Sequence, residues 1–340
     1  MRANFGSLSC ESKLSELSEE GARSRALAVA LEPVVGSVYF APEAHAAYAE
    51  LGFGPSTGPI TGDAWAEAHW GQVQMPDGVA YFASRGGILG QVRGEVVAAA
   101  FGVFNPAAVV ASIEHAWSIT NADLVVAART RGAVAQLERI LGPAPEGIEW
   151  VIELLGRAVA PLSTIGRPMF AGLRALEMPV DPIGRMWRLG DMLREYRGDA
   201  HVAAAGAALL DGCSLQVLTE RCAGMPPRSY AAGRGWDATQ LGAAEVLLTR
   251  LGLLEHGRAS TAGMAAREAL EAETDRLCAP MVAELGDDIV ELVGRLQAWG
   301  TVVRAANGYY PSSPQEAVLS AGVQVWMRGN GLAPFAGAAA

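Results

Sequence analysis

The sequence predicts a mainly α-helical protein in which an N-terminal helical domain packs on a C-terminal winged-helix domain. Apolar residues recur at helical spacing along most of the chain, and no run of six residues has the alternating, β-branched pattern of a strand. Residues 247–268, LLTRLGLLEHGRASTAGMAARE, combine an apolar helix end, a tight hairpin and a new amphipathic helix, which is typical of a winged helix. With 340 residues and 51% apolar content, the chain is long enough for two compact domains.

Composition divides the chain into four segments. Residues 1–25 are polar and carry acidic side chains where a signal peptide needs an apolar core, so we expect a flexible tail. Residues 26–145 are predicted to form the N-terminal helical domain, which ends at the loop-like sequence GPAPEG. Residues 146–300 are predicted to form a C-terminal helical domain that contains the winged helix at about 200–276, and residues 301–340 an extension.

Prolines and capping residues divide the N-terminal domain into helices. Pro33 and Pro42 each mark a helix start or a break, and Asp63 is a suitable N-cap for the helix AWAEAHWGQVQ. Residues 96–113 approach the length of a membrane span, but an Asn-Pro step interrupts them and small residues dominate, whereas a span needs about 20 strongly apolar residues. We therefore expect two buried helices here, and no membrane partner.

Two helical patterns flank the winged helix. The segment Met186–Tyr196 is amphipathic, and a new helix is predicted just after it, for which Asp199 is a suitable N-cap. Beyond the winged helix, residues 279–303 predict one long helix that could pair with its own copy. The protein is therefore expected to form a homodimer.

The cysteines and histidines fit none of the common metal-site patterns. The four cysteines form no CxxC pair, so reduced thiols and a cytoplasmic location are expected. The five histidines show neither HxxxH nor HExxH spacing, so no metal site is predicted. There is no GxGxxG loop after a strand, no Walker loop and no GxSxG elbow, so the cofactor remains unknown.

The winged helix itself is predicted to be of the MarR-like kind. Its second helix is expected at residues 226–236, and its recognition helix at residues 237–255, capped by Asp237. The wing is expected at residues 255–261, and the exit helix at residues 263–277. In such a motif the N-terminal half of the recognition helix enters the major groove of DNA.

The charge of this motif disfavours DNA binding. In the groove-facing half of the recognition helix only two side chains could contact a base, one of them Gln240, and the candidates for further contacts are Arg228, Arg234 and Arg258. Residues 214–276 carry seven arginines against eight acidic residues, and the whole chain has a net charge of −10. Because non-specific DNA affinity comes almost entirely from cationic side chains, nucleic acid is a disfavoured partner.

The densest polar cluster contains Arg194, Glu195, Arg197, Asp199 and His201. A histidine beside a carboxylate suits acid–base catalysis, and we take His201, Asp199 and Arg197 as the catalytic candidates. In this interpretation Asp199 sets the tautomer of His201, and an arginine holds an anionic substrate. In the structural alternative, Asp199 caps a helix, Arg197 binds backbone carbonyls and His201 is a hydrogen-bonded core residue.

A second set of residues could line a pocket for a planar or amphipathic ligand. YFAPE and YFASR each place an aromatic pair beside one charged residue, and Glu43 and Arg85 would pair if the two segments meet. In the structural alternative, Glu43 lies in the first turn of a helix, where acidic residues suit the helix dipole. The ligand-binding candidates are Tyr39, Glu43, Tyr81, Arg85, Arg167 and Trp187.

Several longer segments carry a resemblance to a known family. They include YFASRGGILG (81–90), VVAAAFGVFNP (96–106), GRPMFAGLRAL (166–176), LREYRGDAHVAA (193–204) and EAETDRLCAP (271–280). Over about residues 26–285 the chain resembles the SalK-like or EvbL-like helix-turn-helix proteins of actinobacteria. The resemblance implies a helical, winged-helix-bearing architecture and a setting in specialised metabolism, and it supplies no reaction. Arg188 and Tyr196 stand where imidazoles are expected, and Leu173 stands where an asparagine is expected.

These observations predict a small-molecule-processing or small-molecule-binding protein of bacterial specialised metabolism. Its partner is expected to be a small-molecule ligand or substrate, held in a pocket between the two domains. The winged helix would serve as a scaffold that has lost its DNA-reading residues. The alternatives are a ligand-responsive transcription regulator and a non-catalytic protein that helps to assemble a pathway complex.

Overall fold

Helices make up most of the computed structural model, which describes residues 17–311 and 314–335. The first ten are α1 (Glu19–Val35), α2 (Pro42–Glu50), α3 (Ala64–Trp70), α4 (Gly78–Gly86), α5 (Gly94–Phe101), α6 (Pro106–Ile119), α7 (Ala122–Leu141), α8 (Ile148–Val159), α9 (Pro168–Ala175) and α10 (Pro182–Ala207). The remaining elements are α11 (Gly212–Cys222), α12 (Ala238–Arg250), β1 (Leu254–Glu255), β2 (Arg258–Ala259), α13 (Thr261–Ala283), α14 (Asp288–Ala305) and α15 (Pro314–Gly329). The mainly α prediction is confirmed.

Helix α1 lies at the centre of the helical body. Ser18 caps it by accepting a hydrogen bond from the backbone N–H of Gly21 at 3.0 Å, and two glutamates in its first turn suit the helix dipole. Its small apolar side chains are buried against α10, α13, α14 and α15. Residues 19–25, predicted to belong to a flexible tail, are therefore helical. The rest of the predicted tail, residues 1–16, lies outside the described part of the chain.

The helical body does not divide at residue 145, where the sequence predicts a domain boundary. One hydrophobic core contains Leu27 and Leu137 from the predicted N-terminal domain together with Leu155 and Leu292 from the predicted C-terminal domain. The reason is that α1 buries its apolar surface mainly against helices from the far end of the chain. The body therefore comprises α1 to α10 together with the end of α13, α14 and α15.

The core position of α1 also explains an apolar run that passes for a membrane span. The segment Glu19–Glu50 is long and apolar enough to cross a bilayer, and so is the bent pair formed by α10 and α11. In the first case 83% of the most apolar window is buried inside the fold. Packing against other helices of the chain accounts for its composition.

The apolar segment around residues 96–113 forms two helices, as expected. Asn105 caps α6, its Oδ1 accepting a hydrogen bond at 3.0 Å from the backbone N–H two residues later, and Pro106 occupies the first helical position. The turn between α5 and α6 contacts the start of α11. A Cβ atom on Gly212 would lie 2.2 Å from the carbonyl oxygen of Gly102, so only glycine permits this approach.

Helix α10 is one continuous helix of 26 residues, so the predicted helix break near Asp199 is wrong. Asp181 caps its start and Pro182 follows, which is a strong helix-start signal. The side chain of Asp199 accepts hydrogen bonds from backbone N–H groups of α9 and caps that helix instead of its own. The sequence pattern misled because charged residues along α10 are buried in ion pairs instead of facing solvent.

The winged helix consists of α11, α12, the two short strands and the first half of α13. It has its own small core, formed by Cys213, Val217, Leu218, Ala231, Leu241, Ala244, Leu248 and Leu254. The wing is a tight antiparallel hairpin, with His256 at φ 49° and Gly257 at φ 74° in the turn. A helix, a two-stranded hairpin and a further helix therefore lie close to the segments predicted as recognition helix, wing and exit helix.

The second helix of the motif is α11, and its prediction at residues 226–236 is wrong. That segment is a loop with a short 3-10 helix at Ala232–Arg234. Two consecutive prolines and two glycines disfavour an α-helix there. Instead, the carboxylate of Glu220 on α11 accepts hydrogen bonds from the backbone N–H groups of Arg228, Tyr230 and Ala231 at 2.6, 3.0 and 3.0 Å.

Replacement of Glu220 tests this interpretation of the loop. Glu220 is fully buried, so Glu220→Ala leaves three backbone N–H groups without their acceptor. We expect the free energy of unfolding, measured by urea denaturation, to fall by about 2–3 kcal/mol. Glu220→Gln keeps one carbonyl acceptor and should lose less. Equal urea midpoints for wild type and Glu220→Ala would show that the loop is held by other contacts.

The predicted long C-terminal helix over residues 279–303 is two helices, α13 and α14. Gly286, at φ 51°, lies in the turn that separates them. The apolar face of α14, which includes Leu292, Leu296 and Trp299, is buried against α1 and its neighbours. Because the same chain covers this face, it is not available to pair with a second copy.

Candidate functional site

A cavity of about 200 Å³ lies between the helical body and the winged helix. Helices α1, α4, α5 and α10 form one wall, and α11, α13 and the loop before α12 form the other. Five arginines line it: Arg85, Arg194, Arg197, Arg234 and Arg267. Its aromatic lining consists of Tyr81, Phe101, Phe104 and Tyr230. The sequence predicts a pocket between residues 26–145 and residues 146–300, whereas this cavity lies between the winged helix and a body that contains parts of both.

The wall on the body side is an ion-pair chain. Arg85 binds Glu195 with two hydrogen bonds of 2.8 Å, and Arg194 donates a third to the same carboxylate, also at 2.8 Å. Arg194 continues the chain to Glu32 at 2.9 Å. Burial alone would raise the pKa of Glu195, but the two arginines outweigh it and hold that pKa at about 2. Glu195 is therefore ionised, and the chain is rigid.

A second ion-pair network joins α10 to α13. Arg197 binds Glu271 and Asp275, each at 2.8 Å, and Arg267 binds Glu271 at 2.6 Å. Burial would raise the pKa of Glu271, but the cationic neighbours, Arg267 first among them, hold it well below its usual range. Because Glu271 bridges Arg197 on the body to Arg267 on the exit helix, it connects the two sides of the cavity.

His201 is part of this ion-pair network and is not paired with Asp199. Its Nδ1 lies 3.3 Å from the hydroxyl oxygen of Thr274 and 3.6 Å from Oε1 of Glu271. Burial lowers the pKa of His201 to about 4 in spite of the nearby carboxylate, so the ring is neutral at pH 7. The hypothesis that Asp199 sets the tautomer of His201 is therefore wrong, because α10 turns the two side chains to different neighbours.

Asp199 lies at the start of α9. Its carboxylate accepts hydrogen bonds from the backbone N–H groups of Phe170 at 3.0 Å and Met169 at 3.4 Å. Burial nevertheless raises the pKa of Asp199 to about 6, because these two bonds do not fully replace its hydration. Asp199 can therefore gain or lose a proton near neutral pH, at the edge of a cavity that it lines.

His201 and Asp199 have opposite effects on stability between pH 4 and 6.5. A buried neutral histidine binds fewer protons when folded than when unfolded, so its contribution to stability is lost as the pH falls from 6.5 towards 4. Ionisation of Asp199 disfavours the fold as the pH rises from 3.8 towards 6. His201→Gln removes only the first effect. We expect its melting temperature to fall less than that of the wild type between pH 7 and pH 5, and an equal fall would contradict the assignment.

Arg234 differs from the other four cavity arginines because it pairs with no carboxylate among the described residues. Its guanidinium lies 4.9 Å from the ring centroid of Phe104 and 4.7 Å from that of Tyr230, and it donates a hydrogen bond to the Tyr230 hydroxyl at 2.6 Å. In residues 17–311 and 314–335, no carboxylate oxygen lies within 4.0 Å of it. Two further polar atoms of the lining are buried without a hydrogen-bond partner, Oε1 of Gln216 and Nη1 of Arg267.

The structure brings together part of the predicted site. Of the predicted catalytic and ligand-binding residues, those that line the cavity are Tyr81, Arg85, Arg197, Asp199 and His201. Tyr39 lies behind the wall, where its hydroxyl accepts a hydrogen bond from Arg129 at 3.0 Å. Burial raises the pKa of Tyr39 to about 12, so the hydroxyl keeps its proton.

Three other predicted ligand residues lie outside the cavity. Glu43 pairs with Arg139 at the surface, so the expected pair with Arg85 does not form. Arg167 donates hydrogen bonds to the carbonyl oxygens of Tyr196 and Leu277, at 3.0 and 3.1 Å. Trp187 is fully buried and donates its indole N–H to a carbonyl of α1 at 3.1 Å. These three residues therefore support the fold, as the structural alternatives propose.

Sequence reasoning missed the residues that the winged helix contributes. Arg267 and Glu271 were counted only in the charge balance, and Arg234 only as a possible DNA contact. The i, i+4 spacing of Arg267 and Glu271 was the available signal, since it predicts an ion pair on one helix face. No sequence pattern indicated that this face is turned towards α10, because that depends on how the winged helix docks.

The start of the predicted recognition helix contacts the body, while residues 237–239 stay exposed. The backbone N–H of Asn105 donates to the carbonyl oxygen of Arg234 at 2.9 Å, and its side-chain amide donates to Oε1 of Gln240 at 3.0 Å. The indole N–H of Trp236 donates to the carbonyl oxygen of Val103 at 3.1 Å. Gln240 is thus engaged within the protein.

The candidate DNA-contacting arginines differ in their positions. Arg228 pairs with Glu245 at 2.9 Å, and Arg234 lines the interior cavity. Arg258 is exposed on β2 of the wing. The solvent-facing side of α12 carries Val246 and Leu247, which are 51% and 43% exposed, beside polar residues and one exposed arginine, Arg250.

The described side chains form no cluster of metal ligands. Across residues 17–311 and 314–335, no group of three or more His, Cys, Asp or Glu side chains could hold a metal ion.

No curated protein and no solved structure matches the chain. A helix-turn-helix family model matches residues 24–311, a range that includes most of the body, the winged helix and every residue that lines the cavity. The chain belongs to this helix-turn-helix family.

Proposed function

We propose that this protein binds a small organic molecule in the cavity between its helical body and its winged helix. The carrying observation is the polar lining that the fold itself leaves unsatisfied. Buried polar atoms in proteins almost always have hydrogen-bond partners, yet Gln216 and Arg267, which both line the cavity, each have one buried side-chain atom without a partner. A small rotation of either side chain towards a bound molecule would supply those partners.

The scaffold is of the DNA-binding type, and we propose that in this chain it serves mainly to close the cavity. The contacts of Asn105 and Trp236 support this role, because they attach the start of α12 and the loop before it to the body. The resemblance to SalK-like proteins supports a setting in bacterial specialised metabolism. The protein would bind or process a small molecule of such a pathway.

If the molecule is processed as well as bound, Asp199 is the group that we propose for proton transfer. It lines the cavity, and burial holds its pKa at about 6, near the pH at which an acid–base group works best. His201 is neutral and faces Glu271, and Arg197 is engaged by two carboxylates. These two residues would position the wall of the site.

A ligand-responsive transcription regulator is the second candidate function. It is favoured by the helix-turn-helix family and by the exposed Arg258 on the wing, where winged helices contact phosphates. An electrophoretic shift with the DNA upstream of the gene, run at two salt concentrations, tests it directly. A sequence-specific shift that weakens steeply with salt and is lost in Arg258→Ala would establish DNA binding and make the cavity an effector site.

The cavity proposal is tested with a cavity-filling variant. Ala28 on α1 lines the cavity, whereas Ala107 on α6 is exposed, so Ala28→Leu and Ala107→Leu form a matched pair. Native mass spectrometry of the wild type after incubation with a fractionated actinobacterial metabolite extract should show a bound small molecule. Ala107→Leu should retain it and Ala28→Leu should lose it, with both variants folded by circular dichroism. Retention by Ala28→Leu, or no bound molecule in any fraction, would overturn the proposal.

A further inference from the structure

The charges around the cavity identify the kind of molecule that fits it, and this step rests on the proposed function. Four of the five cavity arginines have a carboxylate partner within the protein, on Glu32, Glu195, Glu271 or Asp275. Arg234 has none among the described residues. The lining therefore has one arginine, on the winged-helix side, that lacks a carboxylate partner among the described residues.

The aromatic rings around Arg234 compensate this charge only in part. A cation above the faces of Phe104 and Tyr230 is attracted by the ring quadrupoles, but an ion pair at the same distance is stronger. The Nε of Arg234 is buried and has no hydrogen-bond partner. A guanidinium presents a planar fork of N–H donors that matches a carboxylate or a phosphate, and Arg234 is half-buried in the cavity lining.

Two further atoms on the same side extend the recognition pattern. Arg267 is 6% exposed and Gln216 is 5% exposed, and both line the cavity. Nη1 of Arg267 is a donor and Oε1 of Gln216 is an acceptor, and each is buried without a hydrogen-bond partner. After a small rotation towards the cavity, the first suits an anionic group and the second suits a hydroxyl or amine on the ligand.

The volume and the lining limit the rest of the molecule. A cavity of about 150 Å³ is sufficient for benzene, so the cavity of about 200 Å³ accommodates one substituted ring. Its apolar surface combines aliphatic side chains with four aromatic rings, those of Tyr81, Phe101, Phe104 and Tyr230. These rings favour a planar ligand, which they can contact by stacking or edge-to-face.

We infer that the cavity binds a single-ring aromatic anion whose carboxylate or phosphate group pairs with Arg234. The winged helix then supplies the recognition residues Arg234, Arg267 and Gln216, and the body supplies the rigid ion-paired wall. The helix-turn-helix unit in this chain is part of the ligand-binding site. Arg234, a possible DNA contact by position in the sequence, is its anion ligand.

Ligand-observed ¹⁹F NMR tests this inference with three probes of the same shape: 4-fluorobenzoate, 4-fluorophenyl phosphate and the neutral 4-fluorobenzamide. The variant is Arg234→Met, and the control is Arg228→Met, which removes an arginine of the same loop that is paired with Glu245 outside the cavity. We expect at least one anion to bind the wild type at least tenfold more tightly than the amide. Arg234→Met should weaken that anion at least tenfold, and Arg228→Met should leave it unchanged.

The outcomes separate this inference from the proposed function. Whichever anion binds more tightly identifies the group as a carboxylate or a phosphate. Binding of the amide as tightly as both anions, blocked by Ala28→Leu, would overturn the inference and retain the small-molecule cavity. Equal anion affinity in wild type and Arg234→Met would also overturn it. If no probe binds, the inference fails, and the proposed function fails as well only if no metabolite of the extract binds.

Discussion

Asp191→Ala is expected to lower the free energy of unfolding by about 3–5 kcal/mol, because it leaves a buried arginine without its anion. Asp191 accepts hydrogen bonds from Arg129 at 2.7 and 3.1 Å, and the two residues are 0% and 1% exposed. The guanidinium of Arg129 also lies 4.8 Å from the ring centroid of Trp187 and donates to Tyr39. Once unpaired it cannot reach water, so the loss is large. Urea denaturation monitored by circular dichroism measures it.

A double variant provides the control for Asp191. Replacing both partners, as in Arg129→Met with Asp191→Leu, removes the charge and the need for its partner together. It should therefore recover much of the stability that Asp191→Ala loses. A loss of less than 1 kcal/mol in Asp191→Ala would show that water reaches Arg129, and that the buried pair does not organise this part of the core.

Glu271→Gln is expected to lower the free energy of unfolding by about 3 kcal/mol, because one carboxylate serves two buried arginines. Glu271 binds Arg197 on α10 and Arg267 on α13, and it is 4% exposed. A neutral amide directs an N–H group at one guanidinium and leaves both arginines short of negative charge. Since this residue joins the exit helix to the body, amide hydrogen exchange should also increase in the first half of α13.

Glu273→Gln is the matched control for Glu271. It lies two residues away on the same helix and pairs with Arg276 at the surface, where an ion pair contributes only about 0–1 kcal/mol. Its stability should be close to that of the wild type. Equal losses in the two variants would mean that charge on α13 matters in general and that the bridge at Glu271 does not.

Much of the fold follows from local sequence signals. Caps at Asp181 and Asp237, the prolines at helix starts and the glycine-bearing wing turn act over a few residues, so they could be identified in the sequence. Two of the wrong helix assignments, at residues 226–236 and at Asp199, share one feature of the structure. In each case a buried carboxylate binds backbone N–H groups of another segment, and such a contact leaves no local pattern.

Only part of the candidate site was predicted, because only part of it is visible in the local sequence. Arg197, Asp199 and His201 lie within five positions of α10, so their proximity was visible in the sequence and they do line the cavity. Tyr39 and Glu43 were included because they resemble the motif around Tyr81, but the structure places them in or beyond the wall. Motif similarity does not determine which side of a helix faces a cavity.

The sequence alone determined the helical class and the place of the helix-turn-helix segment, because periodicity, caps and turn residues are local properties. It also showed the charge balance that disfavours DNA binding, because charge adds along the chain. The tertiary structure decided which residues the charged and polar side chains contact. It turned Arg234 inwards, covered Gln240 with Asn105 and gave four cavity arginines their carboxylates. Those contacts join residues more than a hundred positions apart, or depend on how the winged helix docks on the body, and only the packing of the whole chain brings them together.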